Sequence, residues 1–264
     1  DATHAHLVEL ESPVRLVGLG ASPADTVIDG GGTRRLVRVA AAGAGLENLT
    51  LLGAADKSSS SDLGYALHLA EGTVTNCVIT GGSKAAAGGS ESYVRQTGGL
   101  LVNSQIRDHA DNTSLNMNEP SVFAAKLTGA ATMRGCAVTG ISSGANGGIV
   151  AANGASVLIE NCIIAGNYHR QRNSTDYATV SLEGGATMRG CEVSGNVLAA
   201  SSYAAAASKY RAAGILCLKG TVDRCVVTNN LARDRAHVAG VYLGGSSTLV
   251  NSLVAGNRFE LTEF

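Results

Sequence analysis

The sequence predicts an all-β solenoid, a parallel β-helix of about eight to nine coils with three short strands each, forming a single domain over residues 1–264. Three observations predict it. One motif recurs along nearly the whole chain, each copy alternates apolar and polar residues with a period of two, and no helical periodicity runs through a sequence in which Gly supplies 34 of 264 residues.

The fullest copy of the motif is ASVLIENCIIAGN, Ala155 to Asn167. Taking Cys162 as its anchor, the equivalents are Cys77, Ser104, Cys136, Cys191, Cys225 and Ser252, with Leu49 as a weaker first member. Successive anchors lie 26 to 34 residues apart, so each unit contains a segment of variable length. Three residues before the anchor the chain is apolar: Leu46, Val74, Leu101, Met133, Ile159, Met188, Val222 and Leu249. Two residues after it stand Leu51, Ile79, Ile106, Val138, Ile164, Val193, Val227 and Val254. Side chains alternate along a strand, so the anchor and the residue two beyond it share the buried face.

Just before the anchor come Asn48, Asn76, Asn103, Gly135, Asn161, Gly190, Arg224 and Asn251. Asn and Gly reach positive φ most readily, which predicts a one-residue bend between two strands, with Arg224 strained if it bends alike. The motif then continues to Gly-Asn, at Gly166, Gly195 and Gly256. Upstream lies a third short strand ending in Gly, in YALHLAEG, GGIVAANG, ATVSLEGG, GILCLKG and GVYLGG. Alternation along it points His68, Ser181, Cys217 and Tyr242 outward.

Residues 1–20 read as an entry strand and first coil, followed by a turn at Ser22-Pro-Ala-Asp and a glycine turn after Asp29. Asp29 has no second acidic cluster with which to make a calcium loop. Residues 258–264 read as one last strand, whose open edge leaves room for end-to-end or larger-chain assembly.

From Val14 to Asn257 these repeats resemble the right-handed parallel β-helix, or pectin-lyase-like, superfamily. More narrowly, the phrase G-[IV]-x-[LV]-x-x-G followed by T-[LV]-x-N-C-x-[IV]-x-G-N resembles the repeats of bacterial surface and autotransporter-type passengers. That resemblance implies a bacterial protein that is secreted or displayed on the cell surface, with an adhesive or structural role. The carboxylate-rich strands of polygalacturonases and the calcium-binding Asp cluster of pectate lyases are missing, so the resemblance does not carry their catalysis across.

Composition narrows the function further. The net charge is −1 and the sequence pI is about 6.6, which excludes a nucleic-acid binder of ordinary type. Five of six cysteines are anchors, and these read as an inward ladder of small thiols; no CxxC or Cys/His pair has zinc spacing. No metal or cofactor is expected, and no stretch is long and apolar enough to span a membrane.

The variable segments are expected at the third turn of each coil: 107–120, 141–147, 168–177, 197–213 and 231–239. Ala199 to Arg211 is Ala-rich enough for a short helix. Cluster Arg107-Asp-His-Ala-Asp111 reads as a solvated turn. Three consecutive inserts concentrate charge. Arg170, Arg172, Lys209, Arg211, Arg233 and Arg235 stand against Asp176 and Asp234, a local +4 on a chain of total −1. With Tyr168, His169, Tyr210 and His237 they make a candidate site for an anionic polysaccharide or cell-surface glycan, since guanidinium groups pair with carboxylate and sulfate. A lyase or glycoside hydrolase at the same edge is the alternative. It would need a base beside the sugar or paired carboxylates, and the inserts supply few acids.

Overall fold

The computed structural model describes residues 6–55, 64–82, 91–110, 122–143, 148–171, 177–200, 210–234 and 236–261. It is a parallel β-helix. The strands of each coil stack in parallel on those of the next coil. A 16-stranded sheet holds the first and second strands of the coils, a 9-stranded sheet the strands that follow the anchors, and a 5-stranded sheet a further strand in the later coils. Among the described residues the only helical element is the short 3-10 turn Pro23–Asp25, where the Ser22-Pro-Ala-Asp turn was expected.

The motif dictates the coil. Ile159 and Ile164 flank Cys162, and all three are buried, as are their equivalents from Leu46 and Leu51 to Val222 and Val227. Each such side chain contributes about 1.5–3 kcal/mol relative to exposure. In the last coil Val254 is 41% exposed, because no further coil covers it among the described residues.

The bend falls where the sequence placed it. Asn48, Asn76, Asn103, Asn161 and Asn251 all have φ between 46° and 56°, and Arg224 adopts the same conformation at φ 51°. The two glycines of the series have a spatial reason as well. A Cβ on Gly135 would stand 2.4 Å from Asn103 Oδ1, and one on Gly190 would stand 2.5 Å from Asn161 Oδ1. The amide of the preceding coil occupies the space a side chain would need.

The anchors do more than fill space. The backbone N–H of Cys136 donates to Cys162 Sγ at 3.4 Å, and that of Cys162 to Cys191 Sγ at 3.4 Å. Ser104 and Ser252 accept from the N–H groups of Cys77 and Cys225 at 3.1 and 3.0 Å. Cys and Ser interchange here because each is small and carries an acceptor. All six cysteines are buried and free.

Five residues beyond the anchor runs a second internal ladder, through Asn167, Asn196, Asn230 and Asn257. The amide oxygens of Asn196, Asn230 and Asn257 each accept from the backbone N–H and the side chain of the Asn in the coil before, and that of Asn167 accepts from the Ile141 N–H. Each amide nitrogen also donates to a carbonyl of that coil, as Asn196 does to Ile164 at 2.9 Å. The Gly-Asn at the end of the motif is therefore a buried polar seam.

Four expectations are corrected. Segments 168–177, 197–213 and 231–239 do not begin as loops: Tyr168–Gln171, Val197–Ala200 and Leu231–Asp234 are strands of the 5-stranded sheet. Alternating in–out side chains over four residues are enough to join a ladder when the preceding coil offers an edge. The helix expected at Ala199 to Arg211 begins in one strand and ends in another; residues 201–209 lie outside the described residues. Cys217 points inward, paired with Leu182 and Leu243, and Leu216 takes the outward place beside Ser181 and Tyr242. A bulge between Ala178 and Val180 shifts that register by one residue. His109, assigned to a solvated turn, is buried in the interior, its Nδ1 accepting the Gly82 N–H at 3.0 Å and its ring stacked on Tyr93 at 3.8 Å.

Candidate functional site

The 5-stranded sheet settles where the expected basic residues stand. Register places Arg170, Ala199, Arg233 and Glu260 in one outward column, with Tyr168, Val197, Leu231 and Arg258 beside it. Arg233 is held by Glu260 at 2.9 Å, which halves the cationic character of the column. His169 alternates to the inside and is buried, its Nε2 3.3 Å from Thr179 Oγ1. Arg211 is buried too, so neither residue belongs to an exposed patch. His237 and Tyr210 are exposed, and Tyr210 stacks on Tyr242 with ring centroids 4.2 Å apart. Arg172, Lys209 and Arg235 lie outside the described residues.

A longer basic column stands on the outer face of the first strands. Strand register aligns Glu9, Arg38, His68, Arg95 and Lys126 on consecutive coils. It continues through Ala151, Ser181 and Leu216 to Tyr242. With coils about 4.8 Å apart, Arg38 and Lys126 are separated by about 14 Å along the axis. The column exists because in successive strands a basic residue stands between two buried ones, as in Val37-Arg-Val39, Leu67-His-Leu69, Val94-Arg-Gln96 and Ala125-Lys-Leu127.

Its electrostatics are uneven. Arg38 leans toward the first coil, 2.9 Å from Glu11 and 3.8 Å from Glu9. Lys126 sits over the Phe123 ring, 5.5 Å from its centroid. His68 lies between Arg38 and Arg95, and its ring centroid is 6.2 Å from that of His6. Burial first, and then the neighbouring His6, Arg38, Arg95 and Arg35, push its pKa down to about 4. Burial also lowers the pKa of His6.

Outward position of His68 was legible from alternation; the column was not. The sequence signal for it is the alignment of VRV, LHL, VRQ and AKL on their basic residues, a pattern weaker than the charge concentrated in the inserts. Among the described residues no cluster of His, Cys, Asp or Glu could hold a metal ion. No helix there is long and apolar enough to cross a membrane.

No family model matches the sequence, and no curated protein matches it. Among solved structures, the A-module of the Azotobacter vinelandii mannuronan C-5 epimerase AlgE4 is similar at 11% identity over 95% of this chain and 86% of that one, with a TM-score of 0.22. The A-module of AlgE6 from the same organism is similar at 12% identity over 92% and 89%, with a TM-score of 0.18. Superpositions this loose carry no argument, and the solenoid rests on the strand pairing within the chain itself.

Proposed function

We propose that the chain is a non-catalytic module that holds a linear anionic polysaccharide along the solenoid axis, with its acidic groups over the outward cations of the first strands. The observation that carries this reading is the register of Arg38, His68, Arg95 and Lys126 on consecutive coils. Over these four coils a polymer running along the axis meets a basic side chain at each step of about 4.8 Å. The Tyr210–Tyr242 stack, on the same face toward the C-terminal coils, adds a flat aromatic surface suited to sugar rings. Resemblance of the repeats to bacterial surface passengers supports a secreted or surface-displayed, adhesive or structural setting, with a cell-surface glycan as partner.

The test is binding of polygalacturonate and dextran sulfate to the purified chain, with absorbance of unsaturated sugar products followed in parallel. Binding that weakens in Arg95→Ala and Lys126→Ala and falls with salt supports the reading. Loss on Arg170→Ala instead would move the ligand to the 5-stranded edge, and product would make the protein a lyase.

The C-terminal coil supports a second contact. Its core positions Val254 and Phe259 are 41% and 48% exposed, and Leu253 and Leu261 are exposed beside them. In earlier coils the N–H groups at the positions of Ser252 and Asn257 are taken by the next coil's anchor and Asn. This face fits one occupant, a further coil with Ser or Cys at the anchor and Asn five residues on. Appending such a coil should raise Tm, and appending one with Ala at both places should not; equal gains would sink the idea.

A further inference from the structure

We propose that His68 is an anion ligand of the basic face that binds as the imidazolium, so that seating an acidic group beside it makes the imidazole take up one proton from solvent. This rests on reading the face as a polyanion site.

Three observations lead there. His68 occupies the middle of the column, one coil from Arg38 on one side and from Arg95 on the other. His68 is only 9% exposed, and its buried Nδ1 has no hydrogen-bond partner among the described residues, so the imidazole is held in the column with bonding capacity unused. The charged groups around it are mostly cationic: Glu9 from the first coil, Arg35 and Arg38 from the second and Arg95 from the fourth, with the buried ring of His6 beside them. Glu9 leans on Arg38 and His6, at 3.8 and 3.6 Å, and leaves His68 facing net positive charge.

In the free protein that field and burial keep the ring neutral down to about pH 4. A sulfate or carboxylate placed between Arg38 and Arg95 cancels the repulsion and offers an acceptor to the imidazolium N–H, so proton affinity rises on binding. The sign follows from linkage. The bound state holds more protons than the free one between the two pKa values, so affinity climbs as pH falls through that window, by up to about tenfold per pH unit. The result is a face that grips its polymer more tightly in acid, through one side chain.

Dextran sulfate is the probe, because its sulfates stay ionised throughout. Calorimetric titration from about pH 8 to about pH 5, in two buffers of different ionisation enthalpy, reads proton uptake directly. The wild-type chain is expected to take up protons on binding and to tighten toward low pH, while His68→Gln binds with far weaker pH dependence and no uptake. In the unmutated chain, the His68 ring resonances followed by NMR should titrate at higher pH when the polymer is present. Binding without uptake, or an unmoved His68 titration, overturns the proposal and leaves the polyanion face standing. No binding at any pH removes both.

Discussion

The side-chain nitrogen of Asn167 donates to Oδ1 of Asn196 at 2.9 Å, and the same oxygen accepts the backbone N–H of Asn167 at 3.1 Å. One amide thus satisfies two donors of the coil before it, while its own nitrogen returns a bond to Ile164 O. Nothing in the core could replace it with a hydrocarbon of the same volume.

Asn196→Leu should therefore cost about 3 kcal/mol or more, since it strands two donors and one acceptor in the interior. Asn257→Leu, at the half-buried end of the ladder, should cost about 1 kcal/mol. Urea denaturation of both variants checks the difference, and equal losses would mean that the seam is not what holds the coils.

The bend residues make a paired prediction of opposite sign. Gly190→Ala forces a Cβ against Asn161 Oδ1 at a φ of 62° and should destabilise by about 1–2 kcal/mol. Arg224→Asn relieves a bulky residue at φ 51° and should stabilise by about 0.5–1 kcal/mol. Thermal melts of the two single variants suffice.

Acid should loosen the solenoid through its buried histidines. Burial pushes the His109 pKa from 6.5 down to about 3, so the unfolded chain binds a proton that the folded chain refuses between those values. Stability is complete above the unfolded value and is lost as pH falls toward the folded one, by on the order of 1 kcal/mol per pH unit per histidine. His109→Gln, whose amide oxygen can still accept from Gly82, should flatten the Tm profile between about pH 6 and pH 4. An unchanged slope would place the acid sensitivity elsewhere.

The thiol ladder tolerates an acceptor and nothing less. Cys162→Ser should change stability by less than about 1 kcal/mol, because Ser104 and Ser252 already accept the same bond, whereas Cys162→Val should cost about 1–3 kcal/mol by orphaning the Cys136 N–H. Burial pushes the Cys77 thiol up to about 11, so a thiol reagent at neutral pH should label the native chain far more slowly than the unfolded one. Fast labelling of native protein would contradict the inward placement.

Coil geometry was legible because two local rules, alternation and the Asn/Gly bend, repeat often enough to be read from Leu46 to Val227. What stayed hidden depends on partners in other coils. The role of Asn167 is invisible without Asn196 stacked above it, and Arg38, Arg95 and Lys126 become one feature only once register aligns them. Cys217 was misplaced because the run Ile215-Leu-Cys-Leu218 is apolar throughout and carries no alternation of its own, so only the paired register, shifted by a bulge, decides which residue faces in. Tyr168–Gln171 looked like a loop because it carries charge, yet the charge at Arg170 faces outward while His169 faces in.

The row of asparagine amides has a direction. Every oxygen turns back toward the earlier coil, and from Asn167 to Asn230 a nitrogen turns toward the later one, so the amide dipoles add along the axis. Their sum leaves partial positive charge at the Asn257 end, as aligned peptides do at the start of a helix. The two ends of the solenoid core are thus electrically unlike, and the C-terminal face is set to receive a lone pair.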